Sequence, residues 1–365
     1  MNKKAVFSIG SSEIGGAQKV FLDILSEFEN QKLNFIIFLP KGPLVNYLKK
    51  KKYNYQVISF FSIKSWYHIY KVLKDDQVFI INTHLTNCSF LFSLINLLHR
   101  RLICASFHNQ IIHDKLSSIQ KLFYPYLYFI LSKLVDGIIV NSNYNKKHFK
   151  EIAKISSNII KVIPNGINQN HFPLQKKLVK NVSDKYRIGY FGRLSSEKGV
   201  QCLLDSILLL KQYKIECIIV GEGPLRKDLA EFIKMNQLDE KVSILGFKQD
   251  VASYMQTVDL VVVPSINEAF GITILEAFAL GKLVIASNVG AIPELVVDND
   301  TGFLFPVNNS KILSNKILCA MENPDLCSII SNNAYQFYRG NYTIETMCSS
   351  IFSHFDFLYQ KKINN

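Results

Sequence analysis

Four charged side chains are spaced in a way that suits phosphate and sugar chemistry. Arg193 and Lys198 lie in Gly192-Arg193-Leu194-Ser195-Ser196-Glu197-Lys198-Gly199, between an apolar run and a helix-like stretch that begins at Val200. Arginine offers a bidentate fork and lysine a point charge, so with helix-terminal amides the two can neutralise a diphosphate. Glu268 falls in the loop Pro264-Ser265-Ile266-Asn267-Glu268-Ala269-Phe270-Gly271, and Glu276 stands just over a turn into the helix-like run that follows. Carboxylates accept hydrogen bonds well from ribose and sugar diols. Cations for a diphosphate and acids for hydroxyls together suit a nucleotide sugar. Each charge taken alone reads better as a solvated surface group, so the weight rests on the grouping.

These groups need strands that end in loops and loops that open helices. The run Leu260-Val261-Val262-Val263 reads as a strand buried on both faces, ended by Pro264, and Gly281 sits where a helix closes. Loops at the carboxyl ends of parallel strands are where open α/β sheets bind ligands, above all phosphorylated ones. The same alternation of strand and helix runs through residues 5–164, pauses in a polar, basic linker at residues 171–185, and restarts at Tyr186. Two such sets predict two Rossmann-like domains with an interdomain cleft between them. In the first set, Gly15-Gly16 lie at a strand-to-helix turn where a ligand can approach the backbone. His84 and His108 lie at strand ends on the expected ligand rim. Neither half carries GxGxxG, and no P-loop follows the first strand, which argues against a dehydrogenase or a P-loop NTPase.

At 365 residues the chain exceeds what one core fills, and 48% hydrophobic content allows two. The +13 charge sits in the first half, while the second is slightly acidic. No nucleic-acid module appears, so an anionic membrane is the better partner for the basic half than nucleic acid. Its candidate surface groups are Lys49-Lys50-Lys51-Lys52, Arg100-Arg101, Trp66-Tyr67 and the aromatics between Phe123 and Phe129. Seven scattered cysteines without a CxxC pair read as reduced thiols in a cytoplasmic protein, not as a disulfide framework or zinc site. The apolar stretch at residues 122–140 contains Pro125, Lys133 and Asp136, which makes it a partly exposed helix running into a strand and not a membrane span.

Several motifs in order now show a family likeness: Gly192-Arg193-Leu194 through Lys198-Gly199, Gly221-Glu222-Gly223-Pro224, Glu268 to Glu276, and Gly290 to Glu294 with Thr301-Gly302-Phe303. With Gly15-Gly16-Ala17 and Pro164-Asn165-Gly166, the chain resembles the retaining group 1 (family 4) glycosyltransferases over nearly its whole length. The resemblance implies a GT-B fold: an acceptor-binding domain at 1–175, a donor-binding domain at 176–340, and a helix at 341–365 returning to the first domain. It implies a donor site drawn from Gly15, Gly16, Arg193, Lys198, Phe247, Glu268, Phe270, Gly271, Ile272 and Glu276. In it Glu268 would bind sugar hydroxyls, Glu276 the ribose, Arg193 and Lys198 the diphosphate, and the backbone near Gly246-Phe247 the base. His108 would stand near the transferring sugar and, with Arg193, Lys198 and Glu268, make up the catalytic set. The donor implied is a UDP- or GDP-linked sugar and the acceptor a glycan or lipid-linked glycan. Neither a metal nor another cofactor is expected. Asp298-Asn299-Asp300 matches the DxD of a different class of sugar transferases, but it precedes Thr301-Gly302 in a turn, where Asp and Asn are common for backbone reasons, and the turn is the better reading. The rival readings are a GT-B nucleotide-sugar epimerase and a non-catalytic nucleotide-sugar-binding protein.

Overall fold

The computed structural model describes residues 4–13, 15–111, 116–169, 172 and 184–364. It divides into two compact units, residues 1–166 with 344–365, and residues 167–343. Most of the expected linker at 171–185 lies outside the described residues.

The first unit is a seven-stranded parallel sheet in the order β3-β2-β1-β4-β5-β6-β7. Its strands are β1 (Lys4–Ile9), β2 (Asn34–Leu39), β3 (Tyr55–Val57), β4 (Val78–His84), β5 (Ile103–Phe107), β6 (Gly137–Val140) and β7 (Ile160–Val162). Helices α1 (Gly16–Asn30), α2 (Pro43–Lys50), α3 (Ile63–Leu73), α4 (Thr86–Asn96), α5 (Ser118–Leu134) and α6 (Asn143–Ile152) connect them. Parallel crossovers are right-handed, so the reversal of strand order at β1 puts α1 and α2 on one face and α3 to α6 on the other. The core agrees: residues of α3, α4, α5 and α6 share one buried cluster with Val6, Ile36, Ile81 and Ile138. The final helix, α14 (Ile344–Ile363), belongs to this unit and packs on α1. There Phe28 and Phe352 lie 4.6 Å apart.

The sequence reading singles out neither α3, whose exposed face is apolar like its buried one, nor α2 and α6, which bury few side chains: Leu44 and Leu48 in one, Asn145 and Phe149 in the other. The lysine-rich solvent faces of the latter two mask the helical period.

The second unit is a six-stranded parallel sheet in the order β10-β9-β8-β11-β12-β13. It comprises β8 (Tyr186–Phe191), α7 (Val200–Leu209), β9 (Ile215–Val220), α8 (Arg226–Met235), β10 (Val242–Gly246) and α9 (Val251–Gln256). These are followed by β11 (Leu260–Val263), α10 (Ile272–Ala279), β12 (Leu283–Ser287), α11 (Ile292–Leu295), β13 (Phe303–Phe305), α12 (Ser310–Glu322) and α13 (Pro324–Asn341). All four side chains of β11 are buried, as expected of the unbroken apolar run Leu260-Val261-Val262-Val263. Gly281, at φ 64, ends α10 as Lys282 N donates to Ala277 O at 2.9 Å. Ile167 bridges to Thr343, and its carbonyl accepts from the Tyr338 hydroxyl at 3.1 Å, so the second unit begins there, a few residues ahead of the linker. The expected architecture, two doubly wound parallel sheets, is therefore present.

All seven cysteines are free, and five of them are buried. Among the described residues no helix is long and apolar enough to cross a membrane.

Candidate active site

The strand order of the second unit reverses between β8 and β11, and ligands of open α/β sheets bind at such a switch point. The loop after β8 carries Arg193 and Lys198, and the loop after β11 carries Glu268. Lys198 Nζ lies 2.6 Å from Glu268 Oε2, with both side chains mostly covered. Ser265 Oγ donates to the same oxygen at 3.2 Å, and Ser287 Oγ donates to the Ser265 carbonyl beneath it. Glu268 is thus held from two sides, and the lysine and the acid neutralise each other.

The loops are fastened by backbone. Ile266 N donates to Glu197 O at 2.9 Å, Leu194 N to Glu222 O at 2.9 Å, and Ala291 N to Glu268 O at 3.0 Å. Glycines permit these approaches. A Cβ on Gly199 would stand 1.9 Å from Pro264 O, and one on Gly290 would stand 2.1 Å from Glu268 O. Both glycines are left-handed, at φ 62 and φ 59. Four rim loops therefore form one rigid set.

Arg193 is exposed and makes no ion pair among the described residues. Its carbonyl accepts from the Tyr190 hydroxyl at 2.7 Å, which anchors its backbone. Burial pushes the Tyr190 hydroxyl up, and the Glu268 and Glu197 carboxylates add to this, so it stays a donor. Glu276 is buried in α10, and Gly271, at φ 108, opens that helix. Thr273 Oγ1 donates to Phe191 O at 3.3 Å and ties the first turn of α10 to the end of β8. Phe247 is 73% exposed at the end of β10 and can meet a planar base. Phe270 is different: its ring is in the core, 6.5 Å from Tyr342, so only its backbone and that of Gly271 and Ile272 reach the loop.

Sequence reasoning misses Ser195, Ser265 and Ser287. Ser195 Oγ is buried without a hydrogen-bond partner. A serine at a strand end has no sequence signature that separates it from any loop serine.

Asp298 and Asp300 serve a turn. Asp298 Oδ1 accepts from Leu304 N at 2.7 Å and pairs with Lys316 at 3.3 Å, while Asp300 Oδ1 accepts from Asn333 at 2.9 Å.

In the first unit the order reverses between β1 and β4. Gly15 and Gly16 begin α1 beside the end of β1, and a Cβ on Gly15 would meet only Gln18 Oε1, at 3.2 Å, so the backbone lies open to a ligand. His84 and His108 end β4 and the β5 loop, and they are hydrogen-bonded to each other. Asn82 Nδ2 donates to Cys104 O and Ser106 Oγ, so its Oδ1 must accept from His84 Nε2 at 2.8 Å. His84 Nδ1 then accepts from His108 Nε2 at 3.0 Å, which leaves His108 Nδ1 as a lone-pair acceptor. That atom is buried and makes no hydrogen bond of ordinary length, although the Asn165 side chain stands near enough to favour the protonated ring. Asn141 and Asn165 line the adjoining cavity of about 20 Å³, room for about one water. Burial lowers the His108 pKa to about 4, with Asn165 partly offsetting, and burial and then His108 hold His84 well below its usual value. The pair is a neutral, oriented acceptor, not a base poised near neutrality.

The acid sensitivity of the fold follows from these groups. An unfolded histidine takes a proton near pH 6.5, but folded His108 does so only near 4. Stability is thus full above about pH 6.5 and is lost as pH falls towards 4, at about 1.4 kcal/mol per unit per histidine. His354, lowered to about 4 by burial and then Lys161, adds to the same slope. Asp23, raised to about 7 by burial, works against this slope because its folded carboxyl takes up a proton before the unfolded one. Chemical denaturation from pH 7 to 4 should show the histidines' loss in excess of that gain, and His354→Gln should reduce it.

With this geometry, the comparisons with known proteins agree. The model of the family "Glycosyl transferases group 1" matches residues 172–337, and that of "Glycosyltransferase Family 4" matches residues 14–171. The chain is 35% identical over 207 residues to an uncharacterized glycosyltransferase of Methanocaldococcus jannaschii, covering 56% of this chain and 55% of that one. It is 24% identical over 341 residues to the Escherichia coli UDP-Gal:alpha-D-GlcNAc-diphosphoundecaprenol alpha-1,3-galactosyltransferase, covering 88% of each. Other relatives are named for lipopolysaccharide core and O-antigen biosynthesis. The chain spans about half the length of the first curated relatives it matches: 55%, 43% and 49%. Among solved structures, Anabaena Alr3699/HepE in complex with UDP and glucose superposes with a TM-score of 0.84 at 23% identity, covering 97% of this chain and 99% of that one. Its fold is GT-B. The chain belongs to the group 1, family 4 glycosyltransferases.

Proposed function

We propose that the protein is a retaining glycosyltransferase that moves a hexose from a nucleotide-diphosphate sugar to a lipid-linked glycan. The reaction would serve envelope polysaccharide synthesis at the inner face of the plasma membrane. The observation that carries this reading is the Lys198–Glu268 pair at the β8/β11 switch point, with the Arg193 guanidinium on the same loop making no ion pair among the described residues. In support, one relative bears the name of a UDP-Gal-dependent transferase acting on a diphosphoundecaprenol glycan.

The acceptor hydroxyl attacks the anomeric carbon on the face from which the diphosphate departs. The C1–O bond to phosphate breaks, the new glycosidic bond forms, and the acceptor proton passes to the leaving phosphate oxygen. Arg193 and Lys198 stabilise the charge that grows on that phosphate, so no metal is required. Glu268 need not act as a nucleophile: Lys198 and Ser265 bind its Oε2, and its other oxygen is left to accept from sugar hydroxyls. It holds sugar hydroxyls instead, while Glu276 holds the ribose.

These roles separate experimentally. Glu268→Ala should leave nucleoside-diphosphate affinity unchanged or raised, since it frees Lys198, yet abolish discrimination between donor sugars. Glu276→Ala should weaken nucleoside-diphosphate binding about tenfold or more. Isothermal titration with UDP and GDP reads both. The function itself is tested by thermal shift against UDP-, GDP- and dTDP-sugars, because a ligand present at 100 Kd stabilises by about 2.7 kcal/mol. Transfer to an isolated lipid-linked acceptor follows. Stabilisation by no member of the panel overturns the reading. An epimerised donor without acceptor favours the epimerase, and binding without nucleotide release favours a binding protein.

A further inference from the structure

Three neighbouring helices of the first unit turn apolar faces to solvent. Helix α3 packs beside α4, and α4 beside α5, on one side of the seven-stranded sheet. Helix α5 buries only Tyr128, Leu131 and Ser132. Its residues Ile119, Leu122, Phe123, Tyr126 and Ile130 are exposed and recur at helical spacing, with Tyr126 at 68%. Helix α3 repeats the pattern with Ile63, Trp66, Tyr67 and Tyr70, and Phe61 just before it is 98% exposed. Leu94, Leu97 and Leu98 do the same at the end of α4. Single exposed apolar residues are ordinary, but apolar stripes on adjacent helices mark an interaction surface.

Charge selects the partner. The three helices contain no Asp or Glu, and their charged side chains are Lys64, Lys71, Lys121 and Lys133. Two copies face to face would set lysines against lysines with no acid to pair them, whereas an anionic lipid surface satisfies both the lysines and the apolar stripes. Trp66 Nε1 already donates to Phe60 O at 2.8 Å, so its ring can enter an apolar layer without losing a hydrogen bond.

We propose that α3, α4 and α5 form a membrane-seating face that inserts its apolar side chains at the headgroup–acyl boundary of an anionic bilayer. The proposal rests on the membrane part of the proposed function, not on its transfer chemistry, and it changes which residues act. Of the basic groups that the sequence suggests, Arg101 is spent on Leu73 O at 3.1 Å and on Asp76. Lys49 and Lys50 end α2, on the opposite face of the sheet. Apolar insertion therefore carries the contact, and lysines assist it.

Trp66 is the sole tryptophan and reports directly. With phosphatidylcholine vesicles containing phosphatidylglycerol, its emission should shift to the blue and be quenched by brominated acyl chains. Sedimentation should persist at about 1 M NaCl, where the Debye length is about 3 Å. The double variant Leu122→Asp/Tyr126→Asp should bind these vesicles at least about tenfold more weakly, with its thermal shift by UDP or GDP unchanged. Ile329→Asp, on exposed α13 of the second unit, should bind as the parent does. Complete release by salt without a Trp66 shift overturns insertion, as does a double variant that binds normally. Equilibrium ultracentrifugation showing a dimer that the double variant dissolves, with no vesicle binding, also overturns it in favour of self-association. Vesicle binding without sugar transfer leaves this inference standing and removes the transfer chemistry. Transfer to a soluble acceptor without vesicle binding does the reverse.

Discussion

Arg193→Ala is expected to lower turnover by about two to four orders of magnitude while the protein stays folded, by analogy with removing a donor that stabilises developing charge. The side chain is exposed and unpaired among the described residues, so its loss costs the fold nothing. Its value lies in the guanidinium fork, so Arg193→Lys should recover only part of the rate. Lys198→Ala should lower turnover over the same range by a second route. It removes a cation and leaves the Glu268 carboxylate, 14% exposed, without its partner at 2.6 Å. That unpaired acid would then repel a diphosphate. The double variant Lys198→Met/Glu268→Gln removes both charges; it should bind UDP better than Lys198→Ala, yet turn over no faster. Steady-state kinetics with a competent donor and acceptor, alongside titration with the nucleotide, measure these outcomes. Near-normal turnover in Arg193→Ala or Lys198→Ala would remove the diphosphate role from the loop after β8.

Gly199→Ala should act almost as strongly without touching a charge. A left-handed backbone costs a side-chain residue about 1–2 kcal/mol, and here the added Cβ would also stand 1.9 Å from Pro264 O. The loops after β8 and β11 must then part, which pulls Lys198 from Glu268. A misplacement of about 1 Å near a reacting centre costs about 10²-fold in rate. Turnover should therefore fall about a hundredfold, with a lowered Tm. Gly340→Ala is the control: it lies in α13 with nothing within 4 Å of its Cβ. Helix propensity predicts that it stabilises by about 0.5–1 kcal/mol and leaves activity intact. A Gly199→Ala enzyme with parental kinetics would mean that the loops are not a rigid set.

The two domains, the parallel sheets and the family were legible in the chain because local signals carry them. Apolar runs such as residues 260–263 have one reading as buried strands, and glycines at strand ends have few uses other than tight approach. Arg193, Lys198, Glu268 and Glu276 could be picked out as a group, because cations suited to a diphosphate and acids suited to hydroxyls stand together at the ends of apolar strand-like runs. Phe270 could not be sorted: an aromatic in a loop motif looks the same in sequence whether it faces a ligand or, as here, the core beside Tyr342. The serines beneath Glu268 and the Asn82–His84–His108 chain also stayed hidden, because hydrogen bonds between strands far apart in sequence leave no periodicity.

By itself, then, the sequence determined which residues could do chemistry and on which kind of loop each would stand. Only the tertiary structure decided their pairings. Strand order brought the β8 and β11 loops together, so that Lys198 and Glu268 became one ion pair. Helix packing decided which faces stay uncovered. It consumed Arg101 and left Tyr126 in solvent, and neither outcome follows from residue type, because burial is a property of neighbours that lie elsewhere in the chain.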